Sequence, residues 1–462
     1  MGYLDLDIKM GRRLTAFQET VREFGRHVIR PAGLTLDRLA DPVDVIAGKS
    51  VLWDVIRGFR ERGLHRLMIP AAYGGTMGKL PSMATVLLAE ELGYADGGLA
   101  ISLLASGMPF AFALLSPHAE IRNWAGAYAD DLKGDIVGCW AITEPDHGTD
   151  WIMGLSKCGG DPRLAPGLTA VKKGNEYILN GWKAAWVSNG TIATHAVLHV
   201  GLDSSQGVHG SGIALCPLNL PGISRGMPLN KIGQRALNQG EIIFDDVCLP
   251  EKYMLIHIPG VFGPNVFGHA FLGTANSTMG ATFAGLGRAV LDETLNFART
   301  NTRDGVLLAD RKDIRIRLFR MFARVESARL FARRAADYFL AKSAGPLGSL
   351  ATRFKGTYWT AGHAFDAYQK AYARYAFVRD LAARFNNPEK PHQLSEWGKY
   401  GVASKITATE TAYEVAGEAL KIFGEEAFSP DHPIEKMLRD ARASMIEDGV
   451  NDALAMATYE CL

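Results

Sequence analysis

The sequence of 462 residues lacks the motifs that usually mark metal, nucleotide and disulfide sites. H-E-x-x-H, a Walker-type phosphate loop and G-x-G-x-x-G after an early strand are absent, and the twelve histidines do not cluster at metal-ligand spacing. The cysteines form no C-x-x-C pair and are scattered: Cys139, Cys158, Cys216, Cys248 and Cys461. An odd, scattered set in a long chain indicates reduced thiols in a cytosolic protein. We therefore expect no metal site, and a zinc hydrolase or Rossmann dehydrogenase would lack its usual parts.

Neither sign of charge dominates, and no apolar run reaches the length of a membrane span. The formal net charge is +1, without the basic excess that a nucleic-acid or anionic-membrane partner requires. The longest apolar stretch, residues 99–115, contains Ser, Gly and Pro, which predicts a core helix or a pocket wall. The N-terminus lacks a signal-peptide pattern, and Leu6 removes the hydroxyl that a myristoylation motif needs. We expect a cytoplasmic protein without a nucleic-acid partner or membrane span.

Hydrophobic periodicity changes twice along the chain, which predicts a multidomain α+β fold. The chain exceeds what one hydrophobic core usually serves. Residues 1–134 have helical spacing, residues 135–255 contain short β-type runs typical of an antiparallel barrel or sandwich, and residues 256–462 return to helical spacing. Residues 343–397 are interpreted as an insertion between bundle helices. The insertion covers the active site, meets a partner subunit or is a solvated surface excursion, which is the default.

The segment CWAITEPDHGTDW, residues 139–151, carries the most chemical information. A predicted strand runs into Thr143, and a turn then leads to Thr149 and Asp150. Two hydroxyls and exposed backbone N–H groups at one strand end suit hydrogen bonding to a planar heteroaromatic ring or a phosphate. The structural alternative is a capped loop that leads to the next strand.

A second informative segment, LNGWKAAWVSNG, spans residues 179–190. Trp186 and Ser188 offer an aromatic plane and a hydroxyl close together, which suits the face and edge of a flavin. A core tryptophan in a β-barrel is the equally ordinary alternative.

Segments along almost the whole chain, in the right order, resemble the acyl-CoA dehydrogenase family. MIPAAYGG (68–75) and LAEELGYAD (88–96) resemble the family's N-terminal helical domain. AITEPDHGTD (141–150) resembles its T-E-P-x-x-G-S-D signature, and GWKAAWVSNG (181–190) resembles its G-x-K-x-W-I-T-N segment. Residues 231–250 resemble the stretch that closes its β domain, and HPIEKMLRDARASMIEDG (432–449) resembles its final helix and loop. The resemblance implies an N-terminal helical domain, a middle antiparallel β-barrel or sandwich domain, and a C-terminal four-helix bundle.

The resemblance also implies a reaction, a cofactor and partners. Such an FAD enzyme removes a proton from Cα and a hydride from Cβ of an acyl-CoA thioester and leaves the 2-enoyl product. Electrons then pass to an electron-transfer flavoprotein, and the enzyme is a homo-oligomer, either a dimer or a tetramer.

Residues near the flavin are carried over from the family one by one. Ile142 and Thr143 would bond the flavin ring edge, and Thr149 would replace the signature serine near the flavin and the pantetheine. Trp186 would cover the flavin, with Ser188 beside it in place of a threonine. Trp140 and Gly148 are also included as cofactor-binding residues.

The family's commonest catalytic base is a Glu directly before a Gly, and here Asp448 precedes Gly449. Asp448 is therefore the first choice of base and Glu447 the second, whereas the base position of some relatives falls on or near Ser277, which offers no comparable base. Asp is one methylene shorter than Glu, so the backbone comes closer, the substrate sits differently, or the residue is not a base. The structural alternative for this acidic pair is a solvated turn.

Several positions depart from the family's pattern. Family members usually carry an R-K-x-F-G segment whose Arg reaches the neighbouring subunit's FAD pyrophosphate. Here Asn301 and Asp304 stand where its Arg and Phe would fall, and Arg299 or Arg303 would substitute for the Arg. Gly424 keeps the first of two glycines near the adenosine. The remaining departures are Glu425 for the second glycine, Val450 for a Thr, and Ala275 and Thr278 for residues on the CoA side.

These departures leave three functions open. The first is an acyl-CoA dehydrogenase of divergent substrate range, in which Ala105, Ser106 and Gly107 leave room for a bulky or cyclic acyl group, unless they only permit a tight helix crossing. The second is a non-catalytic subunit of a mixed oligomer, and the third is a flavin monooxygenase on the same fold.

Overall fold

A computed structural model describes residues 10–153, 159–262, 270–344, 353–385, 393–429 and 432–459. Leu6, Cys158, Cys461 and residues 345–352 and 386–392 of the predicted insertion lie outside these described residues. No helix in the described part of the chain is long and apolar enough to cross a membrane. The cytoplasmic location remains a prediction.

The first region of the chain is helical, as the periodicity predicts. Its helices are α1 (Arg12–Phe24), α2 (Arg30–Asp37), α3 (Leu52–Glu61), α4 (Met83–Ala95), α5 (Gly97–Ala105), α6 (Met108–Ala113) and α7 (Ala119–Asp130). Phe24, Leu52, Phe59 and Leu92 are buried in their shared core. The apolar stretch 99–115 forms parts of α5 and α6, which confirms the core-helix interpretation.

The middle region is a β domain whose strands match the predicted β-type runs. They are β1 (Gly138–Ala141), β2 (Thr169–Lys173), β3 (Glu176–Lys183), β4 (His195–Gly201), β5 (Ser211–Pro217), β6 (Ile223–Arg225), β7 (Ile242–Pro250) and β8 (Met254–Ile256). The sheet order is β6-β7-β3-β2-β4-β5-β8, and β1 also pairs with β4. Most pairs are antiparallel, but β1 and β2 each run parallel to β4. A short helix, α8 (Thr149–Met153), follows β1.

Long helices return in the last region and complete the predicted fold class. They are α9 (Ala270–Thr300), α10 (Lys312–Ala344), α11 (Lys355–Arg374), α12 (Ala376–Phe385), α13 (Gln393–Phe423), α14 (Ile434–Ser444) and α15 (Asn451–Thr458), with the short strands β9 (Thr302–Arg303) and β10 (Val306–Leu307) after α9. Helices α9, α10, α13 and α14 share one core that includes Phe283, Met321, Val415 and Ile434. These four helices form the C-terminal four-helix bundle.

Helix α4 joins the first region to the bundle through a buried charge cluster. Glu90 accepts hydrogen bonds from Arg288 and Arg333, and Glu91 accepts from Arg288 and, at 2.9 Å, from Nε of Arg22. Both glutamates are almost fully buried. The segment LAEELGYAD therefore carries acids that hold two regions together, because a buried carboxylate requires paired cations.

Residues 353–385 of the insertion contain two helices, α11 and α12, and α11 is bonded to the β domain. The side chain of Gln369 on α11 donates to the Leu255 carbonyl at 2.9 Å and accepts from the His257 N–H at 3.0 Å. Near the other end of α11, Tyr358 packs edge-to-face on Tyr73 of the first region. Helix α11 therefore contacts both the first region and the β domain, although most of its residues, like those of α12, are exposed. The described part of the insertion is a surface excursion that α11 anchors at these contacts.

Candidate active site

The loop between α14 and α15 carries the acidic pair in an unusual backbone conformation. Asp448 has φ 50° and Gly449 has φ 107°, both in the left-handed region. Asp and Asn adopt this region far more readily than other residues with a Cβ, although at some cost in energy. A left-handed residue persists where its surroundings fix it, so the contacts of the loop matter.

The side chain of Lys405, on α13, holds the loop through hydrogen bonds. Its ammonium donates to the carbonyl oxygen of Gly449 at 2.8 Å and to Oδ1 of Asn451 at 2.7 Å. The backbone N–H of Asn451 donates to the Met445 carbonyl at 3.1 Å and closes the loop on itself. These three hydrogen bonds hold the residues on both sides of Asp448.

Asp448 is accessible to solvent and yet surrounded by protein. Its side chain keeps accessible surface, but desolvation by the surrounding protein raises its pKa above the usual range, opposed by the positive charge of Lys405. The direction of the shift follows because burial disfavours the charged form of a carboxyl group. Asp448 lies exposed in the turn that follows α14, so its role as a base stays a prediction.

Glu447, the second choice of base, is bonded into the protein interior. Its Oε2 accepts from Nε2 of Gln234 at 2.8 Å. Burial raises its pKa to about 7, although the bond from Gln234 and the charges of Lys231 and Lys405 oppose this rise. The carboxylate of Glu447 therefore belongs to the contact between the loop and residues 231–250, whereas Asp448 is the more exposed of the two acids.

A buried ion pair supports the signature loop 143–150. Oε1 of Glu144 accepts from the Lys183 ammonium at 2.5 Å, and Oε2 accepts from the Gly167 N–H at 2.6 Å. The carbonyl of Thr143 accepts from the Ala184 N–H at 2.9 Å, so the loop is tied to the end of β3. Neither Glu144 nor Lys183 was among the predicted site residues. Each is a charged residue inside one of the two motifs, 139–151 and 179–190, and that position was the signal that could have identified it.

The signature loop and the acidic loop meet. The N–H of Val450 lies 3.5 Å from Oγ1 of Thr149 and donates to it. Helix α8, which begins at Thr149, also packs against α15, which begins directly after Val450. The structure thus brings the predicted cofactor segment beside the predicted base.

Trp186 is not a core residue. Its side chain is 58% exposed, so the barrel-core alternative is wrong. Its carbonyl accepts from Nε2 of Gln239 at 2.9 Å, and Ser188 forms a β-bridge with the same glutamine. The rigid backbone therefore presents the indole outward.

The other predicted flavin residues lie at the start of the same loop. The indole of Trp140 donates from Nε1 to Nε2 of His199 at 3.2 Å inside the β domain, so its predicted role rests on its backbone alone. The Ile142 carbonyl accepts from Lys183 at 3.3 Å. Gly148 is half-buried and donates its N–H to Oδ1 of Asp150 at 2.6 Å, which shapes the turn before α8.

Ser277, Ser106 and Gly107 are packed in the protein interior. Ser277 is fully buried where α9 meets α13, and a Cβ on Gly401 would lie 2.3 Å from its Oγ, so it lines no cleft. Ser106 accepts from Nη2 of Arg60 at 3.0 Å, and a Cβ on Gly107 would lie 2.8 Å from Sδ of Met68. The tight-packing interpretation of Ser106 and Gly107 is therefore the right one, and Ala105 alone of the three is half-buried.

Arg303 and Gly424, the predicted adenine-end pair, are neighbours. Nη2 of Arg303 donates to the Ile422 carbonyl at 3.1 Å, and a Cβ on Gly424 would lie 3.0 Å from that nitrogen. Gly424 has φ 68°, which favours glycine. The pair lies at the C-terminal end of α13, about 27 Å along the helix from Lys405 at a rise of about 1.5 Å per residue.

The residues around the acidic loop fit a flavin. Trp186 offers an exposed aromatic face, and the half-buried hydroxyl of Thr143 has no hydrogen-bond partner among the described residues. Aromatic stacking and a few convergent polar groups are what a planar cofactor requires. Within the described residues, by contrast, no cluster of three His, Cys, Asp or Glu side chains could hold a metal ion.

Comparison with known proteins identifies the family. The acyl-CoA dehydrogenase N-terminal, middle and C-terminal domain models match residues 12–117, 139–247, and 269–371 with 357–460. The chain is 24% identical to the cyclohex-1-ene-1-carbonyl-CoA dehydrogenase of Geobacter metallireducens over 96% of each protein. It is 25% identical to the glutaryl-CoA dehydrogenase of Desulfococcus multivorans over 96% of this chain and 95% of that protein.

A solved structure shows the same fold. The butyryl-CoA dehydrogenase of Megasphaera elsdenii superposes with a TM-score of 0.73 at 21% identity, over 98% of this chain and 99% of that chain. The three domain models follow one another along nearly the entire sequence. The chain therefore belongs to the acyl-CoA dehydrogenase family, whose members are FAD-dependent oxidoreductases.

Proposed function

We propose that this chain catalyses the α,β-dehydrogenation of an acyl-CoA thioester with Asp448 as the catalytic base. The observation that carries the proposal is the position of Asp448. It is exposed on a loop that Lys405 holds through Gly449 and that contacts Thr149 of the signature loop through Val450. Bound FAD would accept the hydride from Cβ, between the signature loop and Trp186.

Asp448 performs the proton transfer in this proposal. Its carboxylate takes the α-proton of the acyl group, and desolvation makes it a stronger base by raising its pKa. The left-handed backbone and the bonds to Lys405 fix the carboxylate in one place, which matters because a displacement of about 1 Å can cost about a hundredfold in rate.

The test is the reductive half-reaction of the Asp448→Asn variant. Asn tolerates the left-handed conformation, so the loop keeps its shape. We expect the variant to bind FAD and to lose flavin reduction by substrate, whereas Glu447→Gln, its matched control, retains most of it. Unchanged reduction by Asp448→Asn would remove Asp448 from the mechanism.

Binding of FAD is a separate test. The visible absorption spectrum of the purified chain and the count of released flavin should give about one FAD per chain. A chain that stays colourless with added FAD would favour the non-catalytic subunit instead. Oxygen consumption with reduced flavin would favour the monooxygenase.

For the substrate, we propose a bulky or cyclic acyl group. The support is the similarity to a cyclohex-1-ene-1-carbonyl-CoA dehydrogenase. The packed positions of Ser106 and Gly107 give no support. Rates on matched straight and cyclic acyl-CoA thioesters of equal carbon number test this, and a preference for the straight chains would refute it.

We further propose a homo-oligomer, a dimer or a tetramer, that passes electrons to an electron-transfer flavoprotein. Arg303 and Gly424 lie too far along α13 from Lys405 to meet the isoalloxazine end of the site, which supports a role at the adenosine end of FAD held mainly by a neighbouring chain. Light scattering measures the mass of the assembly and so distinguishes a dimer from a tetramer. A loss of FAD affinity in Arg303→Met, with flavin reduction retained at saturating FAD, tests the residue.

A further inference from the structure

The ammonium of Lys405, which contacts the acidic loop, has unusual hydrogen-bond partners for a buried cation. Lys405 is fully buried in α13, and both of its hydrogen-bond acceptors, the Gly449 carbonyl and the Asn451 amide, are neutral. Among the described residues no carboxylate oxygen lies within 4 Å of its nitrogen. Buried charges are costly unless paired, so a lysine kept here without a direct partner points to a role other than stability.

Three carboxylates surround this ammonium without touching it. Burial lowers the pKa of Lys405 to about 8, whereas the charges of Asp448, Glu447 and Glu410 oppose that change. Asn451 connects two of these groups, since its Nδ2 donates to Oε1 of Glu410 at 3.2 Å. The ammonium is therefore the only cation in direct hydrogen-bond contact with residues 449–451 among the described residues.

We propose that Lys405 is a positioning residue for proton abstraction, which fixes the Asp448 loop through Gly449 and Asn451 and keeps the Asp448 carboxylate ionised. This inference rests on the proposed role of Asp448 as the base. The proton moves from substrate Cα to the Asp448 carboxylate, and Lys405 retains its own proton. Lys405 thereby acts through Asp448 and does not touch the substrate.

Charged groups from several elements surround the loop, and each contributes to the pH dependence of flavin reduction and of the melting temperature. They are Glu447 on the loop, Lys405 and Glu410 on α13, Lys231 on the segment before β7, Asp440 and Lys436 on α14, and Asp96 before α5. Lys405 is the cation among them that acts on Asp448. Its removal should therefore raise the pKa of Asp448, because an opposite charge favours the ionised form.

The first experiment measures the coupling between Lys405 and Asp448 without catalysis. Melting temperatures of the wild type, Lys405→Met, Asp448→Asn and the double variant form a double-mutant cycle. We expect the two substitutions to be non-additive where Asp448 is ionised, and the coupling to shrink as the pH falls through the pKa of Asp448. Additive effects at every pH would overturn the proposal.

The second experiment measures flavin reduction by substrate against pH. Lys405→Met should raise the apparent pKa of the base by about one unit or more, and should slow reduction on the order of a hundredfold at neutral pH. Lys405→Gln, which keeps a neutral donor, should restore part of the rate but leave the pKa raised. An unchanged pKa in both variants would overturn the role of the charge.

Control variants separate this inference from the proposed function. Lys421→Met removes an exposed lysine from the same helix and should change neither readout. If Asp448→Asn reduces flavin normally, the proposed base fails, while the melting cycle still reports whether Lys405 and Asp448 are coupled. If Asp448→Asn is inactive and the cycle is additive, the base stands and the role of Lys405 fails. Where Lys405→Met does not fold, Lys405→Gln replaces it in the cycle.

Discussion

The backbone N–H of Val450 donates to the hydroxyl of Thr149 across 3.5 Å, although 300 residues separate the two in the sequence. Thr149 ends the signature loop that the sequence analysis assigned to the cofactor, and Val450 ends the loop that carries the candidate base. The two segments are thus in direct contact within a single chain.

The buried pair of Lys183 and Glu144 should control both stability and FAD affinity. Lys183→Met leaves a buried carboxylate without its cation, which we expect to cost about 3–5 kcal/mol of unfolding free energy. It should also weaken FAD binding because the signature loop loses its support. Lys172→Met breaks an exposed pair with Glu251 on the same sheet and should cost less than about 1 kcal/mol in the same denaturant titration.

Glu90 should make the protein sensitive to acid. Burial alone would raise its pKa, but Arg333 and Arg288 lower it from 4.5 to about 2. Because the folded-state pKa lies below the unfolded value, this contribution is present above pH 4.5 and is lost as the pH falls towards about 2. Glu90→Gln should flatten the pH dependence of the melting temperature in that window.

The matched control for Glu90 is an exposed glutamate. Glu414→Gln breaks a surface pair with Arg324 and should leave both the melting temperature and its pH dependence almost unchanged. If Glu90→Gln shows the wild-type dependence between pH 4.5 and about 2, the buried cluster is not the source of acid sensitivity.

Close packing of α4 on α9 should make Gly285 intolerant of a side chain. A Cβ there would lie 2.0 Å from the Glu90 carbonyl oxygen. Gly285→Ala should destabilise the protein by about 1–3 kcal/mol or more, because the helices must separate. Gly417→Ala on α13 has no atom within 4 Å of the added Cβ and should gain about 0.4–1 kcal/mol. Equal melting temperatures for the two variants would contradict the packing argument.

The insertion helix α11 should depend on Gln369. Gln369→Ala leaves the Leu255 carbonyl and the His257 N–H without their partner, at a cost of about 1–3 kcal/mol. We expect faster tryptic cleavage within the insertion as well as a lower melting temperature. Lys370→Ala, on the exposed side of the same helix, should leave the stability within about 0.5 kcal/mol of wild type. Wild-type cleavage of Gln369→Ala would show that other contacts hold the helix.

The sequence was most informative where local patterns decide the structure. Short β-type runs separated by turn residues predicted β2, β3, β4, β5 and β7, because apolar and β-branched residues bounded by turn signals are typical of strands. The motif order indicated the family and made Thr149 and Asp448 candidate site residues, and the structure brings their two loops into contact. Parallel pairing of β1 with β4 was missed, because pairing partners distant in sequence leave no local pattern.

By itself, the sequence determined the three-region α+β order, the family and the acidic pair before Gly449. Only the tertiary structure distinguished the surroundings of the two acids, because Glu447 turns towards Gln234 while Asp448 stays accessible. It also decided that Trp186 is exposed, that Ser106 is packed against Arg60, and that Lys405 lies under the loop. Burial and the desolvation of charge depend on residues brought together from distant segments, and sequence spacing alone does not contain those distances.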